Sequence, residues 1–417
     1  MRISSQQYFS MNVSTMNDQQ AQLSQIYQEI SSGQALTTPA DNPLGAAQAV
    51  QLSSTATALS QYTTNQNAAL SSLQAESSTL GNVMTTLQSA NTAALSVGSG
   101  VLNDTNRNAI ASQLESLRDQ LLTYANATDG SGNALFAGFQ NTSTAFTTDS
   151  SGAVVYTGDT GTRTVQVTGS NAVATSDNGA AVFTSVSSTN AEPIAAGNSG
   201  NTGTGVIGSV TVNDPTNTAN ADSYQIAFSG SGSSLSYTVT DTTTGVAAAA
   251  QPYTAGADIT MGGQTVAISG TPAAGDQFSV KPANQAGTDV FANLNAMIAA
   301  LQTPVTGDPA AQANLQNAMN AGMEQLANTM GNVTAVQASV GGRAQEVTAL
   351  QTVTQSNSLQ TQSNLADLTS VDMVSTISKY TLEQAALQAS QQAFAQIARL
   401  ARGALAGATP AESVDTR

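Results

Sequence analysis

The longest hydrophobic pattern in the chain runs from Ala46 to Val97, where apolar residues recur in two columns with a step of seven. The first column is Leu52, Leu59, Leu73, Leu80, Leu87 and Ala94, and the second is Ala49, Ala56, Leu70 and Met84. Two such columns form the a/d face of one helix about 75 to 80 Å long. Glu76 is the only charged residue in this stretch. The helix therefore needs packing partners, because surface ion pairs cannot stabilise it.

A matching pattern follows Pro309, after which no proline occurs until Pro410. Its first column is Met319, Leu326, Val333, Val340 and Val347, and its second is Leu315, Val336 and Leu350. The register continues through polar residues as far as Leu368. The pattern predicts a second long helix that packs against the first.

Each end of the chain carries a further heptad segment, one over Ser4 to Ser32 and one over Leu368 to Leu400. The apolar positions of the two segments are Phe9, Met16, Leu23 and Ile30, followed by Met373, Tyr380, Leu387 and Phe394. Two short helices with polar outer faces bury little apolar surface by themselves. We therefore favour contact with neighbouring subunits as the role of these eight residues, and the alternative is a core within one chain.

Between the two helical ends the composition changes to glycine, threonine and valine. A helix around Leu114 precedes this region, Ala134 to Gln140 is predicted to form a short hairpin strand, and helix returns at Asp289. The strand candidates are Ala153 to Thr157, Arg163 to Thr168, Ser223 to Phe228, Ser234 to Thr240, Gln264 to Ser269 and Gln277 to Lys281. The Gly-rich stretch Gly197 to Gly208 is interpreted as a linker between two lobes.

These patterns predict a mainly α protein with an all-β insert. Residues 1–45 and 368–417 are assigned to terminal coiled-coil segments, and residues 46–140 and 289–367 to an antiparallel helical rod. Residues 141–288 form the β insert, in one or two lobes. The composition break at the ends of the insert also suggests that the rod folds without it.

Charge and composition exclude several classes of function. The 417 residues include 26 acidic and 10 basic ones, a formal net charge of −16, which disfavours nucleic acid and anionic membranes as partners. Histidine and cysteine are absent, which removes Ser-His and Cys-His catalysis and nearly every zinc site. We predict no enzyme activity, no catalytic residues, no cofactor and no metal.

Three aspartates are candidate calcium ligands. Asp149, Asp159 and Asp177 lie in predicted turns, but their spacing does not match an EF-hand loop, so solvated turn residues are the favoured interpretation. No apolar run approaches the roughly 20 residues of a transmembrane helix. No apolar segment of the signal-peptide kind follows Arg2, so we expect export, if it occurs, without a cleaved signal peptide.

One short motif points to a family. Ile30-Ser31-Ser32-Gly33 is followed by Pro39-Ala40-Asp41-Asn42-Pro43, and Gly33 suits a helix C-cap. Asp41 or Asn42 can cap the next helix, with Pro43 at its first position. The motif resembles the Ile-Ser-Ser-Gly and Pro-Ser-Asp-Asp-Pro signature of bacterial flagellins and the related hook-associated proteins. Ala134 to Gln140 resembles the Leu-Phe-x-Gly hairpin of that family, and Met1 to Ser5 is closer to its hook-filament junction members than to flagellin.

The resemblance implies a structural adaptor between hook and filament of the bacterial flagellum, exported by the flagellar type III route and assembled outside the cell. It implies a homo-oligomeric ring, contacts with a neighbouring hook-associated protein and flagellin, and an export chaperone at the C-terminal region. It also implies terminal segments that are mobile before assembly. Two alternatives remain open, a flagellin filament subunit and a secreted adhesin whose β insert binds a ligand.

Overall fold

The computed structural model describes residues 5–36, 38–40, 42–97, 103–130, 132–140, 144–186 and 191–406. Within them the chain forms seven α-helices, three short 3-10 turns and thirteen strands. The helices are α1 (Ser5–Ser32), α2 (Pro43–Val97), α3 (Asp104–Ala125), α4 (Gly179–Phe183), α5 (Val290–Gln302), α6 (Pro309–Thr369) and α7 (Met373–Ala406). The strands are β1 (Phe146–Thr148), β2 (Val154–Tyr156), β3 (Thr164–Gln166), β4 (Ala172–Ala174), β5 (Ile194–Gly197), β6 (Val206–Ile207), β7 (Thr211–Val212), β8 (Tyr224–Ser229), β9 (Ser236–Asp241), β10 (Gln251–Pro252), β11 (Asp258–Met261), β12 (Gln264–Ser269) and β13 (Gln277–Lys281).

The chain divides into two compact units. The terminal unit combines Met1–Thr63 with Thr352–Arg417, and the central unit is Thr64–Gln351. The unit boundaries fall inside α2 and α6, not at the predicted changes at residues 45/46 and 367/368. The predicted fold class, a mainly helical chain with a β-rich insert, is confirmed.

The heptad columns of α2 and α6 supply the helical core of the central unit. Their leucines and valines from Leu73 to Leu87 and from Leu326 to Val347 are buried at every predicted first-column position. Gln351 near the end of α6 donates a hydrogen bond to Asn67 in the first half of α2, at 2.7 Å. Further along α2, Glu76 is 4.0 Å from Arg343, which lies earlier on α6, so the two helices run antiparallel. Helices α3 and α5 pack against each other beside them.

The first part of the β insert shares this helical core. Strands β1 to β4 form two antiparallel hairpins, and the short helix α4 follows them. The rings of Phe146 and Phe183 lie 5.4 Å apart, and Phe146 is 5.5 Å from Phe291 at the start of α5. Phe136, which precedes the insert, packs edge-on against Phe183 at 5.4 Å. This hairpin lobe, residues 144–186, is thus part of the same hydrophobic core as the helices.

The second part of the insert has a core of its own. Strands β10, β9, β8, β13 and β5 form one antiparallel sheet in that order, and β11, β12 and β6 form another, with β7 also paired to β12. Alternating residues of both sheets, among them Ile226, Ile268 and Phe278, are buried between them. We call residues 191–281 the sandwich lobe. The predicted strands in this lobe are confirmed, and Gln264–Ser269 and Gln277–Lys281 have the predicted ends.

The interpretation of Gly197 to Gly208 as an interlobe linker is wrong. The stretch carries the end of β5 and all of β6 inside the sandwich lobe. A Cβ on Gly203 would lie 2.3 Å from the backbone nitrogen of Ala273, and one on Gly205 would lie 2.9 Å from Phe278. These glycines are required for close packing of the chain, not for a mobile connection. The two hydrophobic cores instead separate between α4 and β5.

The predicted hairpin strand at Ala134 to Gln140 is also wrong. Ala134 forms an isolated bridge with Thr128, and the residues after it form turns. All residues from Ala134 to Gly138 are buried, whereas a strand on a surface would alternate. Gly138 has φ +70°, which ends any extended backbone there. The apolar side chains of this segment are packed inside the helical core.

Candidate assembly surfaces

The two terminal helices α1 and α7 pack against each other along the predicted apolar positions. The rings of Phe9 and Phe394 lie 4.8 Å apart, and those of Tyr27 and Tyr380 lie 6.5 Å apart. Half-buried positions complete this terminal seam at Met16, Leu23, Ile30 and Leu387. Phe9 and Met373 are the two predicted interface residues that are exposed, at 50% and 42%. Ring contacts therefore join Phe9 and Tyr380 to partners on the opposite terminal helix, and the role of the eight residues in contacts between subunits stays a prediction.

The same two helices carry a second set of apolar side chains that are exposed in the single chain. The seven-residue pattern did not predict four of its members, Met11, Val374, Ile377 and Leu382. Its members are Met11, Val13, Val374, Ile377, Leu382 and Ile397. Val374 is 82% exposed and Leu382 is 71% exposed, and both line a shallow groove on α7 with Lys379. This outer stripe leaves a large apolar surface uncovered in the single chain.

The family motif forms the connection between α1 and α2 and is hydrogen-bonded to the end of α6. Gly33 has φ +70°, and its carbonyl oxygen accepts from the N–H of Val371 at 3.1 Å. Gln34 forms an antiparallel bridge with Ser370, and its N–H donates to the Ser32 hydroxyl at 3.2 Å. The connection therefore holds α1 beside the start of α7.

The helix cap predicted from the motif is present at Asn42. Its Oδ1 accepts from the N–H of Gly45 at 2.9 Å, and α2 begins at Pro43. Ser31, Ser32 and Pro39 are exposed. The alternative cap, Asp41, lies outside the described residues.

Helix α6 attaches the β insert through a row of side-chain amides that the sequence analysis did not find. Asn317 accepts from the N–H of Ile207 at 2.9 Å and donates to the carbonyl oxygen of Gly205 at 3.0 Å. Asn328 makes the same two-way contact with the backbone of Glu192, at 2.9 and 2.8 Å. Further amide contacts come from Asn314, Gln325 and Asn332. Their partners are backbone atoms far away in sequence, so no local pattern marks them.

The aspartates weighed as calcium ligands have structural partners. Hydrogen bonds from the Ser151 hydroxyl and from backbone N–H groups lower the pKa of Asp149, and Asp159 accepts from the N–H groups of Phe139 and Gly161. Asp177 forms an ion pair with Arg343. The described ranges contain no group of three or more Asp, Glu, His or Cys side chains placed to hold a metal ion.

The hydropathy of the helices was compared with that of membrane-spanning segments. Across the described residues no helix combines the length and the hydropathy that a membrane span requires.

Comparison with known proteins gives two family matches and several relatives. Residues 3–141 match the bacterial flagellin N-terminal helical region, and residues 196–282 match the D2-like domain of flagellar hook-associated protein 1. Flagellar hook-associated protein 3 of Salmonella typhimurium is 36% identical over 146 residues, which are 35% of this chain and 46% of that relative. The alignment thus spans about half the length of the curated relative.

Solved structures extend the likeness over most of the chain. The crystal structure of FlgL from Xanthomonas campestris has a TM-score of 0.66 and 27% identity, covering 75% of this chain and 98% of that chain. The flagellar junction protein FlgL from Legionella pneumophila has a TM-score of 0.65 and 26% identity, covering 77% and 100%. The resemblance to flagellin-like flagellar proteins that the sequence indicated is confirmed.

Proposed function

We propose that this chain, which resembles flagellar hook-associated protein 3 in sequence and in fold, is a structural subunit at the junction between hook and filament of a bacterial flagellum. In this proposal the subunits polymerise into a ring through α1 and α7, which join a coaxial coiled coil with neighbouring copies. The central unit is the preformed part of the subunit. The fold match to junction proteins supports the location, and the distribution of apolar surface supports the mode of assembly.

The observation that carries the proposal is where exposed apolar side chains lie. Thirteen of the seventeen large hydrophobic side chains exposed in the described residues belong to the terminal unit, and four belong to the central unit. The outer stripe on α1 and α7 accounts for six of the thirteen. A surface of this kind is stabilised when another apolar surface covers it. Repeated α1 and α7 helices of neighbouring copies supply such a surface.

The proposed partners follow from this location. They are further copies of the chain, a neighbouring hook-associated protein on the hook side, flagellin on the filament side and an export chaperone that binds the C-terminal region. The chain would leave the cell by the flagellar type III route without a cleaved signal peptide and act in motility outside the cell. We propose no catalytic role, in keeping with a relative that is named as a flagellar hook-associated protein.

A matched pair of substitutions tests the assembly surface. Leu382 in the outer stripe is 71% exposed and Val246 in the sandwich lobe is 65% exposed, so neither replacement disturbs a core. We expect Leu382→Asp to abolish motility and junction assembly in cells that lack the native protein, while Val246→Asp leaves both intact. Export of both variants is measured in the medium as a control. Loss of motility with Val246→Asp alone would contradict the proposal.

Electron microscopy of the purified chain separates the alternatives. Short rings, or incorporation only at hook ends, agree with a junction subunit. Long filaments formed by the chain alone would favour the flagellin alternative. Binding of glycans or host surfaces by the isolated sandwich lobe would favour the adhesin.

A further inference from the structure

Two carboxyl pairs lie where the β insert contacts the helices of the central unit. In each pair one carboxyl belongs to a helix and the other to the insert. The first pair is Glu76 of α2 with Asp177, and the second is Glu324 of α6 with Glu192. Nothing in the proposed junction role uses these four groups.

The first pair is the more deeply buried. The Glu76 side chain has no exposed surface, and its Oε1 accepts from the N–H of Asp177 at 2.9 Å. Arg343 of α6 forms an ion pair with Asp177, but its Nη2 is 4.0 Å from Oε2 of Glu76. Oε2 has no hydrogen-bond donor in the described part of the chain. Two carboxylates against one guanidinium leave one buried negative charge unless a proton binds.

Within the described ranges, neither carboxyl of the second pair forms an ion pair with a basic side chain. Asn328 holds the backbone of Glu192 through both its amide atoms, and Glu324 lies one turn earlier on α6. Glu324 Oε2 accepts from the N–H of Ala195 in β5 at 3.4 Å. Three factors shift the pKa of Glu324. Its burial and the Glu192 charge raise the pKa, and the hydrogen bond from the Ala195 N–H lowers it. A proton on Glu324 removes its repulsion with the Glu192 charge.

We propose that each carboxyl pair takes up one proton when the β insert docks on the helices, so that acidification tightens the docking and alkaline pH loosens it. The two pairs join different lobes to the helices. Asp177 belongs to the hairpin lobe, and Glu192 belongs to the sandwich lobe. The device acts within the central unit and does not depend on how subunits assemble.

The electrostatics support the direction of this effect. Burial is the main cause that raises the pKa of Glu76 to about 7, followed by the Asp177 charge. Burial likewise raises the pKa of Glu324 to about 7, with Glu192 adding to it. The docked state therefore binds more protons than the undocked state, in which both carboxyls return toward 4.5. Docking is fully stabilised below pH 4.5 and loses that stabilisation as the pH rises through 7.

Hydrogen exchange of the full chain measures the docking at single amides. The reporters are the N–H of Asp177 and of Ala195, which bond directly to the two glutamates. After correction for intrinsic exchange, we expect the opening equilibrium of both amides to rise roughly tenfold between pH 5 and pH 8. An unchanged opening equilibrium across that range would overturn the proposal.

Three substitutions separate the pairs from general effects of pH. Glu76→Gln should remove the pH dependence at Asp177 and retain it at Ala195, and Glu324→Gln should do the reverse. The matched control is Glu346→Gln, since Glu346 is an exposed carboxylate of α6 that accepts from Asn171 of the insert at 2.7 Å. This variant should keep the pH dependence of the native chain at both amides. Equal pH dependence in all variants would contradict the assignment to these pairs.

A second readout covers the case in which a glutamine variant fails to fold. Carbon-13 chemical shifts of the glutamate carboxyls in the native chain report protonation directly. We expect two glutamates to titrate well above the ordinary range. Titration of every glutamate near its ordinary value would overturn the proposal whatever the variants do.

Discussion

The terminal and central units place their apolar side chains in opposite ways. Every hydrophobic side chain that is fully buried in the described residues belongs to the central unit, from Ala69 to Val347. Among the described residues of the terminal unit, the buried side chains are polar ones, Thr354, Thr361 and Thr376. Without fully buried apolar side chains, the terminal helices gain too little free energy to offset the entropy lost when they become ordered. They therefore need further apolar contacts from outside the chain. The comparison indicates that the central unit folds by itself and the terminal unit is completed by association.

Charge reinforces the contrast. Eighteen of the 26 acidic residues but only half of the ten basic residues lie in the central unit. Four of its five bases, Arg107, Arg118, Arg163 and Arg343, are engaged within the unit. Facing copies of such a surface repel each other. Attraction between copies is therefore expected at the terminal helices, not at the β insert.

The largest expected effect concerns the two lobes of the insert. Deletion of residues 141–288 should prevent the central unit from folding, because it removes Phe146 and Phe183 from the helical core. Replacement of residues 194–281 by a short Gly-Ser linker should leave a helical unit that unfolds cooperatively, since that lobe has a separate core. Circular dichroism during urea titration distinguishes the two. Cooperative unfolding of the larger deletion would restore the expectation that the rod folds without its insert.

Aromatic substitutions sharpen the comparison between the units. Phe183→Ala should reduce the free energy of unfolding of the central unit by about 3 to 5 kcal/mol, because a fully buried ring leaves a cavity. Phe9→Ala should cost about 1 kcal/mol or less in the monomer, since that ring is half exposed. Urea unfolding followed by far-ultraviolet circular dichroism measures both. Equal costs would mean that the terminal seam is already a true core.

The amide row provides an intermediate effect. Asn317→Ala should destabilise the central unit by about 2 kcal/mol, because it leaves the N–H of Ile207 and the carbonyl oxygen of Gly205 buried without partners. Gln316→Ala is the matched control on the exposed face of α6 and should change stability by less than about 0.5 kcal/mol. Thermal unfolding measures the stability of both variants relative to the native chain. A negligible effect of Asn317→Ala would show that solvent replaces these contacts.

The smallest effect compares helix caps in the two units. Asn103 accepts from the N–H of Asn106 at 2.8 Å, and Asn42 caps α2 at 2.9 Å. Each replacement by Ala should cost about 1 kcal/mol of local helix stability. In the monomer only Asn103→Ala should lower the unfolding midpoint of the central unit. A similar shift from Asn42→Ala would indicate that the two units unfold together.

Periodicity predicted the long helices because their cores repeat within one element. Leu73, Leu80 and Leu87 lie on a seven-residue grid and are all buried, so the local pattern carried the information. The eight residues of the terminal seam were found in the same way. The pattern alone does not distinguish a partner within the chain from a neighbouring subunit, and in the structure α7 lies against α1.

Features that depend on distant contacts were not predictable. Glu76 was noticed as the only charge of its helix, but Asp177 and Arg343 lie 101 and 267 positions further along the chain. The glycines of residues 197–208 look like a linker in sequence, and only packing against Pro272 and Ala273 shows why they are small. Most of the outer stripe was missed for a different reason, because Met11, Val374 and Leu382 are identified by their exposure and not by heptad spacing.

The most direct test of the account is hydrogen exchange of the full chain in a verified monomer and again after assembly. We predict fast exchange across Ser5–Ser32 and Met373–Ala406 in the monomer, slow exchange along the buried faces of α2 and α6 in the central unit, and protection of the terminal helices only after assembly. Slow exchange across Ser5–Ser32 in the monomer would contradict the claim that association completes the terminal unit.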